Sequence, residues 1–171
     1  MATNRGKQFE EVVREAFVKV PDVSVTRLHD QTMGYLGARN PCDFIIYHKP
    51  YLYAIECKST HAGTLSIYSN DPKKMYGAIT NYQWQALLEM STVKGVTAGV
   101  LCWWIDRDVT KFISIQMLQA MRDTGKKSIS WQQDFFVHED RMYTTIDIVG
   151  KKKRVFFDYD MKKFLHEAEN D

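Results

Sequence analysis

The chain opens on a helical pattern. Phe9, Val12, Val13, Ala16, Phe17 and Val20 recur at the spacing of one helix face, Thr3 or Asn4 supplies a cap, and Pro21-Asp22 ends the run. Residues 23–28 alternate as a strand, and the polar stretch 29–41, broken by Gly34 and Gly37, reads as a loop. Two strands follow, over roughly 43–47 and 51–59, joined at His48-Lys49-Pro50. A polar loop with Gly63, Asn70 and Pro72 leads into a helix over about 77–90, whose apolar face carries Ile79, Ala86, Leu87 and Met90. Residues 97–105 form a continuous apolar run, the pattern of a central strand buried on both faces. A neighbouring strand is predicted over 111–115 and a short helix over 116–122. The remainder reads as a strand over 141–149, a turn through Gly150, a strand over 154–159 and a last helix from Met161. This order predicts an α/β domain with a mixed central β-sheet flanked by helices.

Composition narrows the class. No repeat, low-complexity tract or linker interrupts the 171 residues, so 1–171 is read as a single domain. With 44% hydrophobic residues the chain can bury a core, and 26% charge without a polar tract argues against long disorder. The longest apolar stretch, 98–105, is far too short to span a bilayer, and residues 1–5 lack a signal-peptide segment; a cytoplasmic protein with no membrane partner is expected. Cys42, Cys57 and Cys102 are an odd set without CxxC spacing, which speaks against a disulfide framework and a structural zinc site. His29, His48, His61, His138 and His166 are scattered without metal-ligand spacing. The net charge of +2 neither demands nor excludes nucleic acid, since a nuclease concentrates its basic residues on one face.

The hairpin 43–58 carries the chemistry. A turn centred between Lys49 and Pro50 sets Asp43 directly opposite Glu56 and Phe44 opposite Ile55, and period-2 alternation puts Lys58 on the side of Asp43 and Glu56. Opposed side chains have Cβ atoms about 5 Å apart, where two carboxylates repel. A bound divalent cation removes that penalty, taking one or two carboxylates, a backbone carbonyl (here that of Cys57) and waters. The alternative is a solvent-facing strand with an ordinary Glu56–Lys58 ion pair. Acid-x-Lys triplets recur by chance, and Asp71-Pro-Lys73 and Asp160-Met-Lys162 are read as solvated surface. Cys57 alternates to the opposite face and, like Trp103-Trp104, is read as core.

Pro41-Cys-Asp43 followed by Glu56-Cys-Lys58 resembles the PD-(D/E)xK nuclease superfamily, with its restriction-endonuclease-like domain. The opening Asn4-Arg-Gly-Lys-Gln-Phe-Glu10 is similar to that of cellular Holliday-junction resolvases, as is the interval of 13 residues between the two acids. Gln83 in Tyr82-Gln-Trp-Gln-Ala-Leu, and Gly125-Lys-Lys-Ser-Ile129, are similar to the RecU branch. The likeness covers about 4–130, the expected catalytic core; the extension 131–171, read as a β-hairpin and helix, matches nothing. RecU proteins also insert a long stalk where this chain has only 29–41.

The resemblance, which includes archaeal Hjc-like resolvases, implies Asp43 and Glu56 as ligands of Mg²⁺, with Mn²⁺ as the alternative, and no small-molecule cofactor. It implies Lys58 as base or charge stabiliser and Glu10 as a further acid at one remove. The competing reading of Glu10 is an i,i+4 ion pair with Arg14. Gln83 either serves the active site or satisfies a neighbouring carbonyl, and Arg27 either sits near the scissile phosphate or is a surface arginine. Arg5, Lys7, Lys73, Lys74, Lys126, Lys127 and the basic tip Lys151, Lys152, Lys153 and Arg154 are candidate DNA contacts, the tip's alternative being a solvated turn. The implied activity is a metal-dependent endodeoxyribonuclease that cleaves four-way DNA junctions by paired symmetric nicks in recombination and repair. The junction's two-fold symmetry suggests a homodimer, and a bacterial or phage-encoded origin is expected. The alternatives are another nuclease of the superfamily (nicking, restriction-like or repair) and a non-catalytic DNA-binding accessory protein.

Overall fold

The computed structural model describes residues 5–28, 40–67 and 79–170. The caps at Thr3 and Asn4, the loop 29–39 with His29, and the segment 68–78 with Lys73, Lys74 and Asp71-Pro-Lys73 lie outside the described residues.

Helix α1 spans Arg5–Val18, and strands β1 (Val23–Arg27), β2 (Phe44–His48) and β3 (Tyr51–Thr60) follow as an antiparallel run. The short strand β4 (Thr64–Ser66) precedes α2 (Asn81–Ser91), which crosses over so that β5 (Val96–Trp104) pairs parallel with β3. A 3₁₀ turn, Ile105–Arg107, connects β5 to β6 (Val109–Ser114), and α3 (Ile115–Asp123) follows directly. Beyond it come β7 (Ser128–Ser130), β8 (Phe135–His138), β9 (Arg141–Asp147), β10 (Gly150–Lys152), β11 (Phe157–Tyr159) and α4 (Met161–Asn170). The main sheet runs β1-β2-β3-β5-β6-β9-β8, with two small ribbons, β4–β7 and β10–β11. It is the mixed α/β sheet flanked by helices that the sequence predicts.

Alternation along the central strands divides the interior into two cores. Tyr53, Ile55, Cys57, Leu101 and Trp103 face α1 and α4, where Phe9, Val13, Phe17, Phe164 and Leu165 cover them. Ala54, Val100, Cys102 and Trp104 face α2 and α3, packing on Trp84, Leu87, Leu118 and Met121. The domain is thus three layers deep. Trp103 and Trp104 are buried on opposite faces, as core.

The observed elements correct the expected ones at several points. Ile79 and Thr80 stay outside α2, because the Thr80 hydroxyl accepts from the Gln83 N–H and ends the helix there as its N-cap. Strand β8 escapes a period-2 reading because Phe135 and Phe136 are adjacent: Phe136 packs inward while Phe135 is exposed on the other face of the sheet edge. β9 pairs with β6 and β8, while β10 and β11 pair only with each other.

Gly99 of β5 lies between Ile55 of β3 and Ser114 of β6. A Cβ there would sit 2.3 Å from the Ile113 carbonyl oxygen and 2.7 Å from Phe112 Cζ. Backbone cannot yield as a flexible side chain does, so Gly99→Ala is expected to destabilise the fold by about 1–3 kcal/mol or more, read as a lowered urea midpoint with an unchanged slope.

Candidate active site

The register of the β2–β3 hairpin builds the site. Phe44 pairs with Ile55, and the Asp43 N–H continues the ladder by donating to the Ile55 carbonyl at 3.1 Å. This sets Asp43 across from Glu56, as the position of the turn predicts. β2 begins at Phe44, whereas β3 runs on to Thr60 with β5 as its partner. Past Glu56 one flank of β3 therefore has no strand beside it. The Asp43 side chain turns into that notch, where its Oδ2 accepts from the Cys57 N–H at 2.7 Å. The N–H and C=O of one strand residue point to the same flank, so the Cys57 carbonyl also faces the notch.

Glu56 is 2% exposed. Its Oε1 accepts from Lys58 Nζ at 2.5 Å, and its Oε2 is buried with no hydrogen-bond partner. Burial raises the pKa of both carboxylates. Asp43 is pushed up to about 7, first by desolvation and then by the charge of Glu56, against the pull of the Cys57 N–H. Glu56 is raised by desolvation, with Lys58 and the Gln83 side chain opposing. Burial works against the charge on Lys58, but Glu56 and Asp43 outweigh it and hold this ammonium's pKa above its usual value.

Two acids with raised pKa, Glu56 buried with an orphaned oxygen and Asp43 half-buried beside it, form a donor set suited to a hard divalent cation. Among the described residues, no three His, Cys, Asp or Glu side chains converge as an ion site on their own. A cation here would draw on Asp43, Glu56 and the Cys57 carbonyl, and would fill its remaining positions with water and substrate oxygens. The chain's cysteines are buried free thiols, with that of Cys42 pushed up to about 12 by burial, so none suits a nucleophile.

The other candidates stand around this centre. Glu10 on α1 bonds Arg27 at the end of β1, and Arg27 also lies 3.8 Å from Glu11. The alternative pairing of Glu10 with Arg14 is not formed, because Arg14 bonds Glu11 at 2.5 Å instead. Glu10 reaches the carboxylates through its field, raising both. Gln83 is the third residue of α2, and its Oε1 accepts from the Thr80 N–H at 3.1 Å. Thr80 was passed over on sequence, although Thr80-Asn-Tyr-Gln83 is a capping-box pattern.

The basic residues divide between the two faces of the sheet. On the α1 side, Arg5 lies over the Phe156 ring, which packs 5.5 Å from Trp103, the partner of Ser59; Lys7 is exposed nearby. Lys152 bonds Asp108, and Lys153 lies 3.7 Å from Asp158, which also takes Lys19 at 2.6 Å. Lys151 and Arg154 project from the same hairpin with no ion-pair partner among the described residues. On the α2–α3 side, Lys126 covers Phe136, and the Lys127 carbonyl receives the Ile67 N–H. Histidines are engaged elsewhere: His48 meets Glu169 at 2.7 Å and His61 meets Asp106 at 2.8 Å. No described helix is long and apolar enough to cross a membrane.

No family model and no curated protein matches the chain. Among solved structures it is similar to the 1.6 Å structure of Archaeoglobus fulgidus Hjc, a Holliday junction resolvase from an archaeal hyperthermophile. The two share 20% sequence identity with a TM-score of 0.49, over 73% of this chain and 88% of that one.

The carboxylate pair sets a pH dependence for the protein in chelator. Between its ordinary pKa of 3.8 and the folded value of about 7, Asp43 holds a proton in the folded state that the unfolded chain has released. Stability therefore falls as pH rises through that window. The urea midpoint is expected to be lower at pH 8 than at pH 5, and Asp43→Asn to reduce that difference, raising the melting temperature at pH 8 by a few degrees. An Asp43→Asn midpoint that follows wild type at every pH would show the carboxylate to be unstrained.

Proposed function

We propose that this protein is a divalent-cation-dependent endodeoxyribonuclease that introduces paired nicks into four-way DNA junctions. The observation that carries the reading is the opposed Asp43–Glu56 pair at the notch beside β3, with Asp43 half-buried, Glu56 buried, its Oε2 unpartnered and Lys58 adjacent. The choice of junction DNA rests on the likeness of 4–130 to resolvases in four ordered motifs. Mg²⁺ is the expected ion, held by Asp43, Glu56 and the Cys57 carbonyl.

A cation bound there polarises a phosphate oxygen and makes water a better nucleophile. The protein's own share is positioning and charge. Asp43 is fixed by the Cys57 N–H and Glu56 by Lys58, so both carboxylates are set before substrate arrives. The Lys58 ammonium, carried on the same strand face, offsets the charge that builds on the phosphate during displacement. Glu10 and Arg27 balance one another at the edge of the site. A two-fold junction takes two matched nicks, which a homodimer supplies with one site per subunit.

Incubation with a four-way junction, a duplex and a single strand, each with Mg²⁺ and with chelator, tests the reading. Paired symmetric nicks in the junction alone, dependent on Mg²⁺, are expected. Equal cutting of duplex would make it a nuclease of different specificity, and no cutting of any substrate would leave an accessory DNA-binding protein. Asp43→Asn is expected to lose cleavage to background while binding the junction at least as tightly, because a charge facing phosphate is removed and the shape kept. Lys58→Ala should lose about 10²–10³-fold in rate. Near wild-type nicking by either variant would overturn the assignment.

The basic hairpin yields a sharper expectation. Lys152 and Lys153 are engaged by Asp108 and Asp158, which leaves Lys151 and Arg154 for phosphate. Each phosphate contact contributes about 0.9 to the slope of log K against log salt. Replacing Lys151 and Arg154 with Gln should flatten that slope by up to about two units on junction and duplex alike. An unchanged slope across a salt titration would assign the tip to solvent.

A further inference from the structure

A cleft of about 320 Å³ opens between α1 and the β10–β11 hairpin, lined by Val12, Glu15 and Lys19 of the helix and by residues 153–158. That volume suits a small planar group, since ligand pockets begin at roughly 300 Å³. Both walls are held in place. Val12, Glu15 and Lys19 share one face of α1. Opposite them, the Lys153 N–H donates to the Phe156 carbonyl at 2.7 Å and closes a two-residue turn at Arg154-Val155. The walls are tied together at Asp158, which accepts from Lys19 Nζ at 2.6 Å and lies 3.7 Å from Lys153. Lys152, bonded to Asp108, anchors the hairpin to the connection between β5 and β6.

The lining combines two chemistries. Phe156 and Phe157 are half-buried, Phe156 backed by Trp103 at 5.5 Å and Phe157 by Tyr159 at 5.6 Å. Around them stand Lys19, Lys153 and Arg154 against Glu15 and Asp158, and Asp158 is already neutralised by its two lysines. Aromatic rings at the bottom of a cationic rim complement a flat base carried between phosphates, whereas an apolar peptide would leave the rim unmatched. A base inside a duplex has both faces covered by its neighbours, so the cleft is open only to one that has left the stack.

We propose that this cleft takes an unpaired nucleotide of DNA, its base against Phe156 and Phe157 and its phosphates beside Lys153 and Arg154. The inference rests on the proposed reading of the protein as one that acts on branched DNA, and gives it a means of telling an unstacked strand from a duplex. The rim charges act on any DNA, while the aromatic lining acts only on a free base.

The test measures affinity by fluorescence anisotropy on the full chain in chelator, with a short oligothymidylate, an abasic strand of the same length and a duplex. Wild type is expected to bind the oligothymidylate about tenfold more tightly than the abasic strand. Phe156→Leu keeps an apolar side chain against Trp103 but loses the ring face. It should erase most of that difference and leave duplex affinity unchanged, and Phe156→Tyr should restore the difference. Equal wild-type affinity for the two single strands overturns the proposal. So does a Phe156→Leu protein with undiminished preference for bases, or one that loses single strand and duplex alike. If Phe156→Leu does not fold, Glu15→Gln carries the test. Glu15 is exposed on the helix wall, and removing its charge should tighten oligothymidylate binding about threefold at low salt, and duplex binding less. Unchanged affinity places the strand elsewhere and overturns the inference. A protein that prefers bases yet nicks no DNA when Mg²⁺ is supplied keeps this inference and loses the proposed nuclease. One that nicks junctions but binds both single strands equally loses this inference alone.

Discussion

Two carboxylates facing each other across adjacent strands, one of them buried, are a standing electrostatic cost, and much of the surrounding structure answers to it. Lys58 leans back along its own strand to reach Glu56, and the Cys57 N–H bonds the Asp43 side chain. Arg27 pairs with Glu10, whose negative charge nonetheless still bears on both carboxylates. Even so, Glu56 Oε2 is left bare. Such an arrangement stores an unfavourable interaction at one point and relies on the rest of the fold to hold it there.

That reserve lies in the two cores. The hairpin bearing the acids is clamped from one face by α1 and α4 through Phe44, Ile55 and Cys57, and from the other through Cys42 and Ala54. Apolar side chains thus alternate with the charged ones along β3, so every residue that orients Glu56 or Lys58 is backed by a neighbour fixed in packed hydrocarbon. The parallel pairing with β5 carries this support past the end of β2, to Thr60.

The central hairpin was legible in the sequence because its rules are local: alternation sets the faces, the turn sets the register, and the pairing of Phe44 with Ile55 follows. Partners brought from a distance were not. Arg14 had acids both three and four residues before it, Glu11 and Glu10, and nothing nearby announced that Arg27 would claim Glu10. The start of α2 was misjudged because apolar periodicity reaches back to Ile79, while the hydroxyl of Thr80 ends the helix one residue later. Lys111 looked like the polar member of an alternating strand. In the fold it is 4% exposed, and its ammonium meets Asp134 and Asp147, neither of which is near it in sequence.

That lysine changes how the last forty residues are understood. A lysine this buried, with its ammonium reaching two exposed acids, is costly to leave unpaired, and both acids come from the stretch with no recognisable counterpart. The same stretch contributes Ile146, Ile148, Tyr159, Met161, Phe164 and Leu165 to the core that α1 covers. A carboxylate site assembled early in the chain therefore stands on a core that the tail completes. The boundary suggested by motif likeness marks where similarity ends, while the folding unit extends beyond it to α4.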